Sequence, residues 1–162
     1  MPLSWKSPWE KQTTDQLNRR KPEDDEYAQW AYEKEVEIVG MMNRAGVEIL
    51  AGTDAGNAYD YEGFSLHDEL GLLVSAGLTP AEALRSATLS PARFLAKERD
   101  LGTISTGKSA DLVLLDANPL KDIRNTARIN AVVINGLLLD RVTLDKMLSQ
   151  VEATASSQET VK

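Results

Sequence analysis

The sequence contains no cysteine and a single histidine, His67. Without cysteine there is no disulfide framework, no thiolate nucleophile and no Cys-type zinc site, and the redox compartment stays undetermined. A lone histidine without neighbouring partners is more often a hydrogen-bonded structural residue than a ligand. Basic charge is also in deficit, with 18 Lys and Arg against 25 Asp and Glu and a formal net charge of −7. Such a chain has no basic patch from which counterions could be released, which argues against nucleic acid and anionic membranes as partners. No apolar run is long enough to span a bilayer, and no charged start leads into an apolar stretch with a small-residue cleavage site. The expectation is a soluble cytoplasmic protein.

What is present is a chain of 162 residues with 42% hydrophobic content, enough for one core plus tails. It is organised around Val47-Glu48-Ile49-Leu50-Ala51-Gly52-Thr53-Asp54-Ala55-Gly56, an apolar run that ends in a carboxylate between glycines. This pattern predicts a parallel strand buried on both faces, with a helical segment on each side in sequence. Side chains at the carboxyl ends of such strands face the ligand crevice in open α/β sheets and in (β/α) barrels. Asp54 at that tip can ligate a divalent metal or pass a proton from a metal-bound water to a leaving group. It can equally cap the following turn through an Asx-type bond, and on pattern alone the cap is the commoner outcome.

Upstream, residues 1–22, with Pro2, Pro8 and Pro22, show no period and read as a loop or extended arm; Trp5 and Trp9 in it need an apolar cover. Residues 23–44 read as a helix with Glu23, Asp24, Asp25 and Glu26 in the first turn and Gly46 at the stop. Tyr27, Trp30, Ala31, Ile38, Met41 and Met42 are its expected core face. After Asp54, residues 57–64 form a polar loop where active-site loops of α/β folds sit, and Tyr59, Asp60, Tyr61 and Glu62 read as solvated rather than substrate-touching. Ser65 reads as a helix N-cap with Asp68 completing a capping box, Leu66, Leu70, Leu73 and Val74 as a buried stripe, and Gly77 as the stop.

Thr79-Pro80-Ala81-Glu82 combines cap, first-turn proline and returning glutamate, and opens a helix to Ala87 or Thr88. Ser90-Pro91 repeats the device to about Lys97. The spacing Gly102-x-x-x-x-Gly107-Lys108-Ser109 matches a phosphate loop by chance: that motif needs a helix starting at the lysine, and a strand pattern, residues 111–116, follows instead. Residues 131–139 place two β runs around Asn135-Gly136, a hairpin signal. A short helix over residues 143–151 and a disordered tail over 152–162 complete the expectation.

Taken in order, several short stretches together resemble the C-terminal part of the amidohydrolase superfamily, nearest its imidazolonepropionase-like and Xaa-Pro dipeptidase-like branch. They are Ala51-Gly52-Thr53-Asp54-Ala55, Ser65-Leu66-His67-Asp68-Glu69-Leu70, Gly77-Leu78-Thr79-Pro80-Ala81-Glu82-Ala83-Leu84, Leu101-Gly102-Thr103-Ile104, Gly107-Lys108-Ser109-Ala110-Asp111-Leu112-Val113, Asn118-Pro119-Leu120 and Val132-Val133-Ile134-Asn135-Gly136. The resemblance implies an α/β fold: the last strand and helices of an incomplete (β/α)8 TIM-type barrel over residues 23–98, then a small antiparallel β unit of the accessory β-sandwich domain over 99–141. Residues 1–22 would be an arm or loop, and 142–162 a short helix and flexible tail. It further implies metal-dependent hydrolysis of amide, lactam or peptide-like C–N bonds of a small-molecule substrate, a divalent metal that would be zinc, and Asp54 as metal ligand and proton shuttle. Thr53, Asn57 and His67 are the supporting or substrate-side candidates.

The family's His-x-His pair, bridging lysine and two further metal-binding histidines belong to strands that would precede residue 47, and His67 lies on the wrong side of Asp54 to replace them. A complete barrel takes about 250 residues. The expectation is therefore a fragment, or a subunit completed by another polypeptide. Its rival is a non-catalytic module that binds a partner or self-associates through strand edges and bare helix faces.

Overall fold

The computed structural model describes residues 3–56 and 60–157. In chain order these form α1 (Leu3–Arg19), α2 (Pro22–Arg44), α3 (Ser65–Ser75), α4 (Pro80–Ser86), α5 (Leu89–Phe94), β1 (Leu112–Leu115), a 3-10 turn (Ile123–Ala127), β2 (Ile129–Ile134), β3 (Leu137–Leu139) and α6 (Arg141–Ser157). The strands make one antiparallel sheet in the order β1-β2-β3.

The helix ends follow the local chemistry. At α2, the Lys21 N–H donates to Asp24 Oδ2 at 2.8 Å, and Pro22 opens the helix where no N–H is needed. Its C-terminus closes with Gly46 at φ 80 and the Val47 N–H returning to the Met42 carbonyl at 3.0 Å. The same closure ends α3: Gly77 has φ 106, and the Leu78 N–H reaches the Leu73 carbonyl at 3.1 Å. Thr79 caps α4 as expected, its Oγ1 accepting from the Glu82 N–H at 3.2 Å while Glu82 Oε2 accepts from the Thr79 N–H at 2.7 Å. The Thr79 N–H foremost, joined by the Thr79 hydroxyl donating to the same Oε2 at 2.7 Å, holds the Glu82 carboxyl below its usual range.

Four expectations about local structure are corrected. Residues 3–19, read as loop, are helical: the polar run from Lys11 is rich in helix formers but has no apolar stripe, so periodicity misses it. Ser65 is not an N-cap, since α3 starts at Ser65 itself after Phe64 and no side chain caps it. α5 begins at Leu89, a residue before the Ser90-Pro91 signal, and Ser90 is buried within it. α6 runs to Ser157 rather than ending near Val151. Asp140 caps it through the Thr143 N–H at 2.8 Å, and Thr154 and Ser156 turn their hydroxyls back to the carbonyls of Gln150 and Glu152.

The buried cluster is small and aliphatic. Leu70, Leu73, Leu78, Ala83 and Ile123 are buried, with Val39, Ile49, Ala51, Val74, Leu84 and Ala87 packed against them. It joins α2, α3 and α4 to the 3-10 turn of the β unit. Gly40 lets α2 approach: a Cβ there would sit 2.2 Å from the Ala76 carbonyl oxygen at the end of α3. The face of α2 expected in the core is outside it, with Trp30 54% and Met41 55% exposed. Nothing among the described residues covers that stripe, and α2 packs through Val39 and Gly40 instead.

In the β unit the hairpin is as read. Ile134 pairs with Leu137 across a two-residue turn in which Asn135 (φ 50) and Gly136 (φ 80) are both left-handed, the geometry that Asn-Gly favours. β1 pairs with β2 from Leu112↔Val133 to Leu114↔Ala131, then slips so that Leu115 faces Ile129; Asn130 is the extra residue, its amide bonded to Asp116 Oδ1 at 2.8 Å. No helix starts at Lys108. Its ammonium donates to the carbonyls of Glu98 and Leu101, which makes it a structural tie and not a phosphate ligand.

Candidate active site

The segment delivering Asp54 differs from the expected doubly buried parallel strand. Residues 47–54 pair in no ladder, and from Glu48 onward burial alternates: Ile49, Ala51 and Thr53 are half-buried, whereas Glu48, Leu50 (40%), Gly52 and Asp54 are exposed. The period of two is that of a strand lying on a core with one face only. The second face has no cover because no neighbouring strand is supplied by the described residues.

Three bonds fix the tip. The Ala51 N–H donates to the Ser86 carbonyl at the end of α4 at 3.0 Å, and the Gly52 N–H to Glu69 Oε1 on α3 at 3.2 Å. Thr53 Oγ1 lies 3.2 Å from Ser65 Oγ, which also donates to the Tyr61 carbonyl at 2.8 Å. Asp54 follows with φ 51, a left-handed conformation that Asp adopts more readily than most residues, and its side is exposed. The loop then folds back, the Gly56 N–H meeting the Asp60 carbonyl at 3.4 Å.

Of the sequence candidates, Thr53 stands beside Asp54 and is held by Ser65. Asn57 lies outside the described residues. His67 is elsewhere: on a helix it is turned about 200° from both Ser65 and Glu69, and its Nδ1 sits 3.1 Å from Thr126 Oγ1. The Thr126 hydroxyl also lies 2.8 Å from the Ile123 carbonyl, to which it donates, so the threonine bridges His67 to the 3-10 turn. His67 thus joins α3 to the β unit.

Sequence reasoning passed over Glu69, although its i, i+4 spacing from Ser65 puts both on one face of α3. It also took Asp60 as solvated, whereas Asp60 Oδ1 is buried and has no hydrogen-bond partner among the described residues. Trp9 of α1 stacks obliquely on Tyr61 of the same loop, with centroids 5.8 Å apart, so α1 is docked on the loop that follows Asp54.

The family model described as the amidohydrolase family matches residues 22–139, most of the chain. The protein belongs to the amidohydrolase family. Among amidohydrolase relatives, the 5-methylthioadenosine/S-adenosylhomocysteine deaminase of Moorella thermoacetica is 31% identical over 120 residues, covering 62% of this chain and 28% of that protein. A solved Xaa-Pro dipeptidase with bound methionine in its active site superposes with a TM-score of 0.59 at 33% identity, over 65% of this chain and 25% of the other. A bottromycin amidohydrolase superposes with a TM-score of 0.77 at 26% identity, over 94% of this chain and 33% of the other. The chain therefore spans about a quarter to a third of the length of these relatives.

Amidohydrolases generally use divalent metals, and a catalytic zinc needs about three protein ligands. Among the described residues no three His, Cys, Asp or Glu side chains come together in a way that could hold an ion. These residues do not by themselves fit a metal. What they provide is one carboxylate on a braced, strained tip.

Proposed function

We propose that this chain is a portion or subunit of a metal-dependent hydrolase of C–N bonds in small molecules, to which it contributes Asp54. The observation carrying this reading is that Asp54 ends the one-faced strand-like segment inside the amidohydrolase match, exposed on a tip braced by α3 and α4. A carboxylate so placed can accept a proton from an attacking water and return it to the leaving nitrogen. Residues 23–98 are read as the closing strand and helices of a (β/α)8 barrel, and residues 99–141 as part of the accessory β domain. The remaining metal ligands, from the same gene product or from another polypeptide, complete the site; zinc is the expected ion. Elemental analysis of the purified chain tests this, together with hydrolysis of amide and lactam substrates. Bound metal and turnover, both lost in Asp54→Asn, are the expected result in the completed enzyme. Turnover that survives Asp54→Asn would refute the assignment.

A second reading is favoured by surface area. The chain exposes 11924 Å², against about 8,000 Å² for a compact monomer of its 17.8 kDa. The bare stripe of Tyr27, Trp30, Ile38 and Met41 on α2 belongs to that excess. It suits a module that associates with a second polypeptide or a second copy of itself, with no catalysis of its own. Light scattering on the same sample separates the two: a defined, metal-free oligomer without turnover supports association alone.

A further inference from the structure

One face of α3 grips the chain on both sides of Asp54. Glu69 Oε1 accepts the Gly52 N–H at 3.2 Å, Ser65 Oγ meets Thr53 Oγ1 at 3.2 Å, and the same Ser65 Oγ donates to the Tyr61 carbonyl at 2.8 Å, where the loop returns. Gly52 and Thr53 are the two residues through which the segment reaches Asp54, and Asp54 itself is turned to φ 51. Residues 47–54 pair in no ladder, and beyond the Ala51 bond to the Ser86 carbonyl their rotation about the chain axis is set by α3. That rotation decides which way the side chain of residue 54 leaves the backbone. A helix face bonded to two successive residues fixes it.

We infer that Glu69 and Ser65 are positioning residues, which set the direction of the Asp54 carboxylate by locking Gly52 and Thr53 to α3. The functional meaning rests on the proposed role of Asp54, but the geometry is measurable without it. If Glu69 served only to stabilise α3, its removal would loosen the helix and leave the backbone angle at Asp54 unchanged. The choice of acceptor matters and its charge does not, so a carboxamide oxygen serves equally well.

The test is amide hydrogen exchange and the HN–Hα coupling of Asp54, measured by NMR on the full chain. Glu69→Ala is expected to speed exchange at Gly52 by roughly tenfold relative to the buried Ala83 amide, the loss of one hydrogen bond. It also moves the Asp54 coupling towards the extended value. Glu69→Gln keeps both near wild type, and Ser65→Ala shifts the Asp54 coupling with a smaller effect at Gly52. Asp68→Ala, exposed on the same helix, changes neither. Taking the Gly52 rate against Ala83 keeps the result meaningful if a variant is destabilised throughout. An Asp54 coupling that stays at its wild-type value in both Glu69→Ala and Ser65→Ala would overturn the inference. Failure of the catalytic reading shows itself separately, as turnover indifferent to Asp54→Asn, and leaves these NMR measurements as they are.

Discussion

Residues 47–54 and the β1–β2–β3 unit are both aliphatic stretches punctuated by glycine, yet only the second forms a sheet. The β unit carries its partner with it, since Asn135-Gly136 turns the chain straight back and Asp111 Oδ1 ties the Asn135 N–H at 2.7 Å. Residues 47–54 have no such local partner among the described residues, and they pack with one side only on α3 and α4. The difference shows that pairing in this chain is decided by sequence distance to a partner more than by the strand-forming quality of the residues.

The largest effect on this contrast should come from the joint between the two regions. Ile123 is buried where the 3-10 turn meets the helical cluster, and Ile123→Ala is expected to cost about 2–5 kcal/mol in denaturant unfolding. A cost near zero would mean that the β unit is not anchored to the helices. Next, Gly136→Val forces a β-branched side chain into a left-handed turn and should cost about 1–2 kcal/mol. The loss is expected in the hairpin amides first, with exchange at residues 47–54 unchanged.

Thr79→Ala should remove about 1 kcal/mol from α4, and with it some of the hold that Ser86 has on Ala51. This cap also has a pH signature. The Glu82 carboxyl is held below its ordinary value of 4.5 by the Thr79 N–H. Its contribution is therefore complete above that value and is lost as the pH falls through the lower, folded-state value. Acid titration of the thermal midpoint should show this loss in wild type and a shallower one in Thr79→Ala, which keeps only the backbone donor. Smallest of all, Leu50→Ala should change stability by less than about 0.5 kcal/mol, because Leu50 is exposed. A cost above about 2 kcal/mol would show that its second face is covered in solution.

The parts of the fold that could be read in the sequence are those whose partners lie within a few residues. The Thr79-Glu82 cap, the Gly46 and Gly77 stops and the Asn135-Gly136 turn each satisfy their own backbone groups, so composition is enough to find them. The misreadings are decided at a distance. Tyr27, Trp30 and Met41 have the spacing of a core face, but burial needs a partner surface that periodicity does not reveal. α1 lacks an apolar stripe and is docked through Trp9 on Tyr61, a contact across 52 positions of sequence. At the site, Asp54 stood out by its place at the end of an apolar run. Glu69 did not, because its role comes from a contact with Gly52 seventeen residues earlier.

The left-handed backbone at Asp54 limits which residues can occupy the position, apart from any chemistry. At φ 51 most L-residues are disfavoured by about 1–2 kcal/mol, while Asp and Asn are enriched there because a short polar side chain can bond to its own backbone. Glutamate, with the same charge one methylene further out, lacks that tolerance. The turn thus discriminates between the two natural carboxylates before any substrate or ion arrives, and it makes Asp54→Asn a change of charge with the chain path left intact.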